Sequence, residues 1–87
     1  MSNNERKALK LLKTAAQHLR KVLKMVEQRR YYLDIIHESQ VVQKYLRMSD
    51  EEILSGHLKR CVKKILGGEN KDQQFQEMLL IFKKGHR

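Results

Sequence analysis

The chain has 87 residues and a mass of 10.4 kDa, enough for a single small domain spanning residues 1–87. Mean hydropathy is −0.69, and no run approaches the roughly 18 apolar residues of a membrane span, so no membrane association is expected. Nineteen Lys and Arg against ten Asp and Glu give a net charge of +9.

The excess positive charge is uneven. Residues 1–30 hold nine basic and two acidic side chains (+7), residues 31–58 hold two and five (−3), and residues 59–87 hold eight and three (+5). Basic ends around a neutral-to-acidic middle point to a polyanion partner; the plain alternative is a soluble helical protein that is basic overall. Met1-Ser2-Asn3-Asn4 leads straight into charged helix, unlike a signal peptide. Cys61 is the one cysteine, which excludes an intrachain disulfide and suits a cytoplasmic setting. With no Pro and four Gly, long unbroken helices are favoured over a turn-rich β fold.

A first helix is expected over about residues 4–28, capped by Asn3 or Asn4, with Glu5 at its positive end. Leu9, Leu12, Ala16, Leu19, Leu23 and Val26 recur at spacings of three and four and form the expected core seam. One position on runs a cationic stripe of Lys10, Lys13, Gln17, Arg20 and Lys24. A second helix is expected over about residues 31–66. Ser49 followed by Glu52 is a capping-box pattern that would split it, and periodicity alone does not decide the point. Gly67-Gly68 stops this helix, and Phe75, Met78, Leu79 and Phe82 mark a short third one over about 71–84, before a basic tail. A continuous second helix would be roughly 50 Å long, too long for a compact globule of this size. Its apolar length needs a partner helix from another chain, so a homodimer or higher oligomer is expected.

Few residues here suit chemistry. His57 and Cys61, four apart on a helix, present an imidazole and a thiol on one face. They are two metal donors, or else a buried cysteine beside a half-buried histidine. His18 and His37 are further candidate ligands, although a lone histidine of this kind is more often a structural or surface residue than a ligand. Tyr31-Tyr32 fits packing against a helix better than base stacking, and Lys59-Arg60-Lys63-Lys64 fits a solvated helix end. No phosphate-cradling glycine loop, H-E-x-x-H motif or nucleophile elbow is present, so an enzyme is not expected.

Several blocks, taken in order, resemble the copper-sensing operon repressor (CsoR-like) family of bacterial regulators, over roughly residues 9–84. Leu19-Arg20-Lys21-Val22 stands where the family has hydrophobic, basic, usually Gly, hydrophobic; Met25-Val26-Glu27 resembles M-I-E. Tyr31-Tyr32-Leu33-Asp34-Ile35-Ile36 is similar to Y-C-x-D followed by two hydrophobic residues, and His57-Leu58-Lys59-Arg60-Cys61-Val62 to H-L-x-x-C-V. Gly68-Glu69 and Phe75-Gln76-Glu77-Met78-Leu79 resemble the closing G-D and the short third helix.

The resemblance implies an all-α, three-helix protomer with a long second helix, paired into an antiparallel four-helix dimer core, with dimers joining into tetramers. It implies a cytoplasmic repressor of double-stranded operator DNA, sensing copper, nickel, cobalt or zinc ions or a thiol-reactive species at an interprotomer site. By position, His57 and Cys61 are the sensor residues, with Tyr32 where the family has its other cysteine. A phenol is a hard ligand poorly matched to Cu(I), so the usual copper site is incomplete. Ala16-Gln17-His18 also replaces the usual E-G-Q, and Ser49-Asp50-Glu51 is polar where relatives are apolar. Lys10, Lys13, Arg20, Lys24 and Arg47 are the expected DNA contacts. The rival expectation is an effector-insensitive helical protein that hetero-oligomerises with a related repressor.

Overall fold

A computed structural model describes residues 1–66 and residue 80. They form two antiparallel α-helices, α1 (Asn3–Glu27) and α2 (Tyr32–Leu66), and no strand occurs among the described residues. The Gly67-Gly68 stop, the expected third helix and the basic tail lie outside the described residues.

The ends of α1 follow local hydrogen bonding. Ser2, not Asn3 or Asn4, is the N-cap: its backbone is extended and its Oγ accepts from the Glu5 N–H at 3.1 Å. That leaves the Asn4 amide to donate to Glu52 Oε2 of α2 at 2.9 Å. At the other end Arg30 N–H donates to the Met25 carbonyl and Arg29 N–H to that of Val26, both at 3.0 Å. This is a Schellman closure, with Arg29 in the left-handed position at φ 53°.

Helix α2 runs unbroken through Ser49–Glu52, so the capping-box pattern does not split it. Both of its members are occupied otherwise. Ser49 is fully buried in the helix pair, and Glu52 accepts from Asn4. At 35 residues, α2 is about 52 Å long.

The seam between the helices corrects the hydropathy reading. The buried residues of α1 are Ala8, Ala15 and Met25, with Leu11, His18 and Val22 half-buried. Across from them lie Val42, Ser49 and Gly56, buried, with Glu38, Tyr45 and Glu52 half-buried. Each set repeats every seven residues, the period that keeps one helix edge against a partner. The leucine stripe expected to form the core is instead 39–55% exposed at Leu9, Leu12, Leu19, Leu23 and Val26. Close approach explains the change. A Cβ added at Gly56 would sit 2.9 Å from Asn4 Cβ, so the backbones meet where a large side chain has no room.

Two antiparallel helices are related by an approximate two-fold axis normal to their layer, which maps each face onto itself. Residues displaced in the same rotational sense from the two seams therefore share a face. One residue past the seam come Leu9, Leu12, Ala16, Leu19, Leu23 and Val26 of α1, with Leu46, Ile53 and His57 of α2. The Arg60–Glu5 ion pair, 3.5 Å long, joins the helices on this apolar face. One residue before the seam come Lys7, Lys10, Lys21 and Lys24 of α1, with His37, Lys44 and Glu51 of α2. The layer thus has one apolar and one mainly basic face.

Candidate functional site

The three expected sensor positions all fall toward the apolar face. His57 follows Gly56 directly and is exposed; Cys61, one turn on, is buried at 4% exposure; Tyr32, at the opposite end of α2, is 63% exposed. Helical rise separates Tyr32 from His57 by about 37 Å, so one protomer brings only the imidazole and the thiol together. No group of three or more His, Cys, Asp or Glu side chains that could hold a metal occurs among the described residues. One thiol, one imidazole and a distant phenol do not fit a cuprous site built from two thiolates and an imidazole.

The other two histidines lie elsewhere. His18 is in the seam: its Nδ1–H donates to Glu38 Oε1, and its ring stacks on Tyr45 with centroids 5.4 Å apart and planes at 15°. Lys21 Nζ lies 3.6 Å from Glu38 Oε2. The hydrogen bond from His18 chiefly holds the Glu38 carboxyl below the usual glutamate range; partial burial opposes this, and the Lys21 charge adds to it. His37 is exposed on the basic face, away from His57 and Cys61.

The expected cationic residues are all exposed. On the continuous helix α1, Lys10, Lys13, Arg20 and Lys24 share one stripe that runs from the basic face to the outer edge, and Arg47 stands on the outer edge of α2. Sequence reasoning missed Lys44 on the basic face and the engagement of Glu38 by His18 and Lys21. The seam that sets these contacts was present as a seven-residue repeat of small residues, Ala8–Ala15 and Ser49–Gly56, which a search for leucines passes over.

No helix among the described residues is long and apolar enough to cross a membrane. Residues 4–84 match the sequence profile of the metal-sensitive transcriptional repressor family. The chain is also similar to the copper-sensing transcriptional repressor CsoR of Mycobacterium ulcerans (strain Agy99), at 33% identity over 61 residues, 70% of this chain. The match spans about half of that relative's own length, 52%. No solved structure matches. An all-helical protein matched by the profile over nearly its whole length, this chain belongs to the metal-sensitive transcriptional repressor family.

Proposed function

We propose that the chain is a repressor that binds double-stranded operator DNA through its basic residues and pairs with a second copy through its apolar face. The observation that carries this is the division of the two-helix layer into opposite faces, with His57 and Cys61 toward the apolar one and Tyr32 at the far end of the same helix. An antiparallel pairing of two such layers sets the start of one α2 beside the end of the other. It puts Tyr32 of each protomer near His57 and Cys61 of its partner. The reading is a four-helix dimer core, open to tetramer formation. Exposed leucines over four turns of α1 are the kind of surface a stable homodimer covers.

In this reading the cations neutralise phosphates and release counterions, so affinity falls steeply as salt rises. Phosphate geometry and DNA shape carry much of the specificity, since few of these side chains suit base edges. An effector held by His57 and Cys61 at the interprotomer site shifts the dimer to a form that binds DNA less well, a coupling of typically about 1–3 kcal/mol. The activity is regulation rather than catalysis, and the effector is a metal ion or a thiol-reactive species.

Sedimentation equilibrium and DNA anisotropy test this together. The native chain should be a dimer or tetramer that prefers its own upstream DNA over a scrambled duplex. Leu19→Glu, which puts a charge on the apolar face, should give a monomer with weak DNA binding. A monomeric native chain, or equal affinity for both duplexes, refutes the operator-binding dimer. Cys61→Ala should abolish effector-induced release; unchanged release would remove Cys61 from the sensor.

One thiol and one imidazole at the sensor positions of each protomer, with a phenol at the third position, favour a second reading. In it the chain senses nothing and acts by pairing with a related repressor. Mixed oligomers with a paralogue, together with no response to Cu(I), Ni(II), Co(II) or Zn(II), would support this over the first.

A further inference from the structure

A groove of about 440 Å3 runs along α2, lined by His37, Glu38, Gln40, Val41, Lys44 and Arg47. It opens on the basic side of the layer, opposite His57 and Cys61. Lys44 and Arg47 are cations, His37 adds a further donor, and Gln40 offers an amide; Glu38 is the one anion. A bare carboxylate there would repel a phosphate. This one is engaged from the other helix, because His18 donates to Oε1 and Lys21 stands 3.6 Å from Oε2. Only 14% of the Glu38 side chain is exposed, and its negative charge is directed toward α1. Among the described residues Lys44 and Arg47 make no ion pair in the structure, so their charge is open to an outside anion.

We propose that this α2 groove seats backbone phosphates of duplex DNA through Lys44 and Arg47, and that His18 and Lys21 keep it receptive by holding the Glu38 carboxylate against α1, where the Lys21 cation offsets its charge. The inference rests on the DNA-binding reading and deepens it. The DNA surface crosses from α1 to α2, and Lys21 contributes to affinity as a positioning residue that acts through Glu38 without touching DNA.

Anisotropy titrations of the full chain, over a salt series and on both the upstream and the scrambled duplex, test this. Lys44→Gln should lower the slope of log K against log salt by about 1, equally on both duplexes, as loss of a phosphate contact does. Arg47→Gln should behave likewise. Lys63→Gln removes the same charge about 28 Å away along α2 and should leave the slope unchanged. Lys21→Gln should weaken binding about two- to fivefold, the range of an exposed ion pair. Glu38→Gln added to it should restore the affinity. All five positions are at the surface or its edge, and circular dichroism melts check that each variant folds.

Equal slope changes from Lys44→Gln and Lys63→Gln would overturn the groove as a seat. Persistence of the Lys21→Gln loss in the Glu38→Gln background would overturn the charge-offsetting role. A native chain with no salt-dependent DNA binding would instead refute the DNA-binding reading itself.

Discussion

Ser49→Ala should make the protein more stable, although it removes a polar group from a helix of a water-exposed protein. Ser49 has 0% exposure, and its Oγ has no hydrogen-bond partner among the described residues. A buried hydroxyl left unpaired costs about 1–3 kcal/mol. Alanine also has the higher helix propensity, by about 0.5 kcal/mol. Against these stand the few dispersion contacts of a single oxygen atom, about 0.1–0.2 kcal/mol each. The net is a gain of about 1–3 kcal/mol, and in a domain of this size each kcal/mol raises Tm by about 4–8 °C. The assay is a thermal melt followed by circular dichroism at one fixed protomer concentration, because assembly makes Tm concentration-dependent. Ser49→Leu is the companion variant; its bulk between two closely approaching backbones should cost about 1–3 kcal/mol. A Tm for Ser49→Ala equal to or below that of the native chain would refute the reasoning, since it would mean that the hydroxyl is satisfied.

Three further outcomes follow from particular contacts. Gly56→Ala gains about 1 kcal/mol of helix propensity but sets a methyl 2.9 Å from Asn4 Cβ, an atom one bond from the backbone that cannot swing aside. Overpacking and loss of the Asn4–Glu52 hydrogen bond should outweigh the gain, for a net loss of about 1 kcal/mol in urea denaturation. Arg29→Gly relieves a left-handed arginine at φ 53° and should raise stability by about 1 kcal/mol in the same assay. The Glu38 carboxyl titrates lower in the folded chain than in the unfolded one, so the unfolded state binds the extra proton first on acidification. Its stabilising effect is complete above the ordinary glutamate value of about 4.3 and is lost as pH falls through the lower folded value. Stability measured against pH should therefore drop less steeply below about pH 4.3 in Glu38→Gln than in the native chain; identical acid limbs would contradict the His18–Glu38 contact.

Much of the architecture was legible before any coordinates. Absence of proline, three-and-four spacing and a glycine pair at 67–68 gave two long helices whose observed limits, Asn3–Glu27 and Tyr32–Leu66, lie within a residue of the expected ones. Apolar periodicity marked Leu9, Leu12, Leu19, Leu23 and Val26 as the core seam, and in the single chain they are exposed instead. What it misjudged was which edge of α1 meets α2. The helices of one protomer meet instead through Ala8, Ala15, Ser49 and Gly56, because small residues allow an approach that leucines prevent. For the candidate site, the four-residue spacing of His57 and Cys61 was plain. That His18 belongs to an interhelix pair with Glu38 was not, since their separation of 20 residues has meaning only once the chain has turned back on itself.

Composition and order of residues alone established the helical class, the positive charge and the family blocks, because these depend on local periodicity and on residue identity. The tertiary structure decided which edge of α1 meets α2, which side of the layer each cation takes, and which histidine is already engaged. Those outcomes turn on the distance between two backbones, and that distance is set by the smallest residues at the crossing, which carry almost no hydropathy signal of their own.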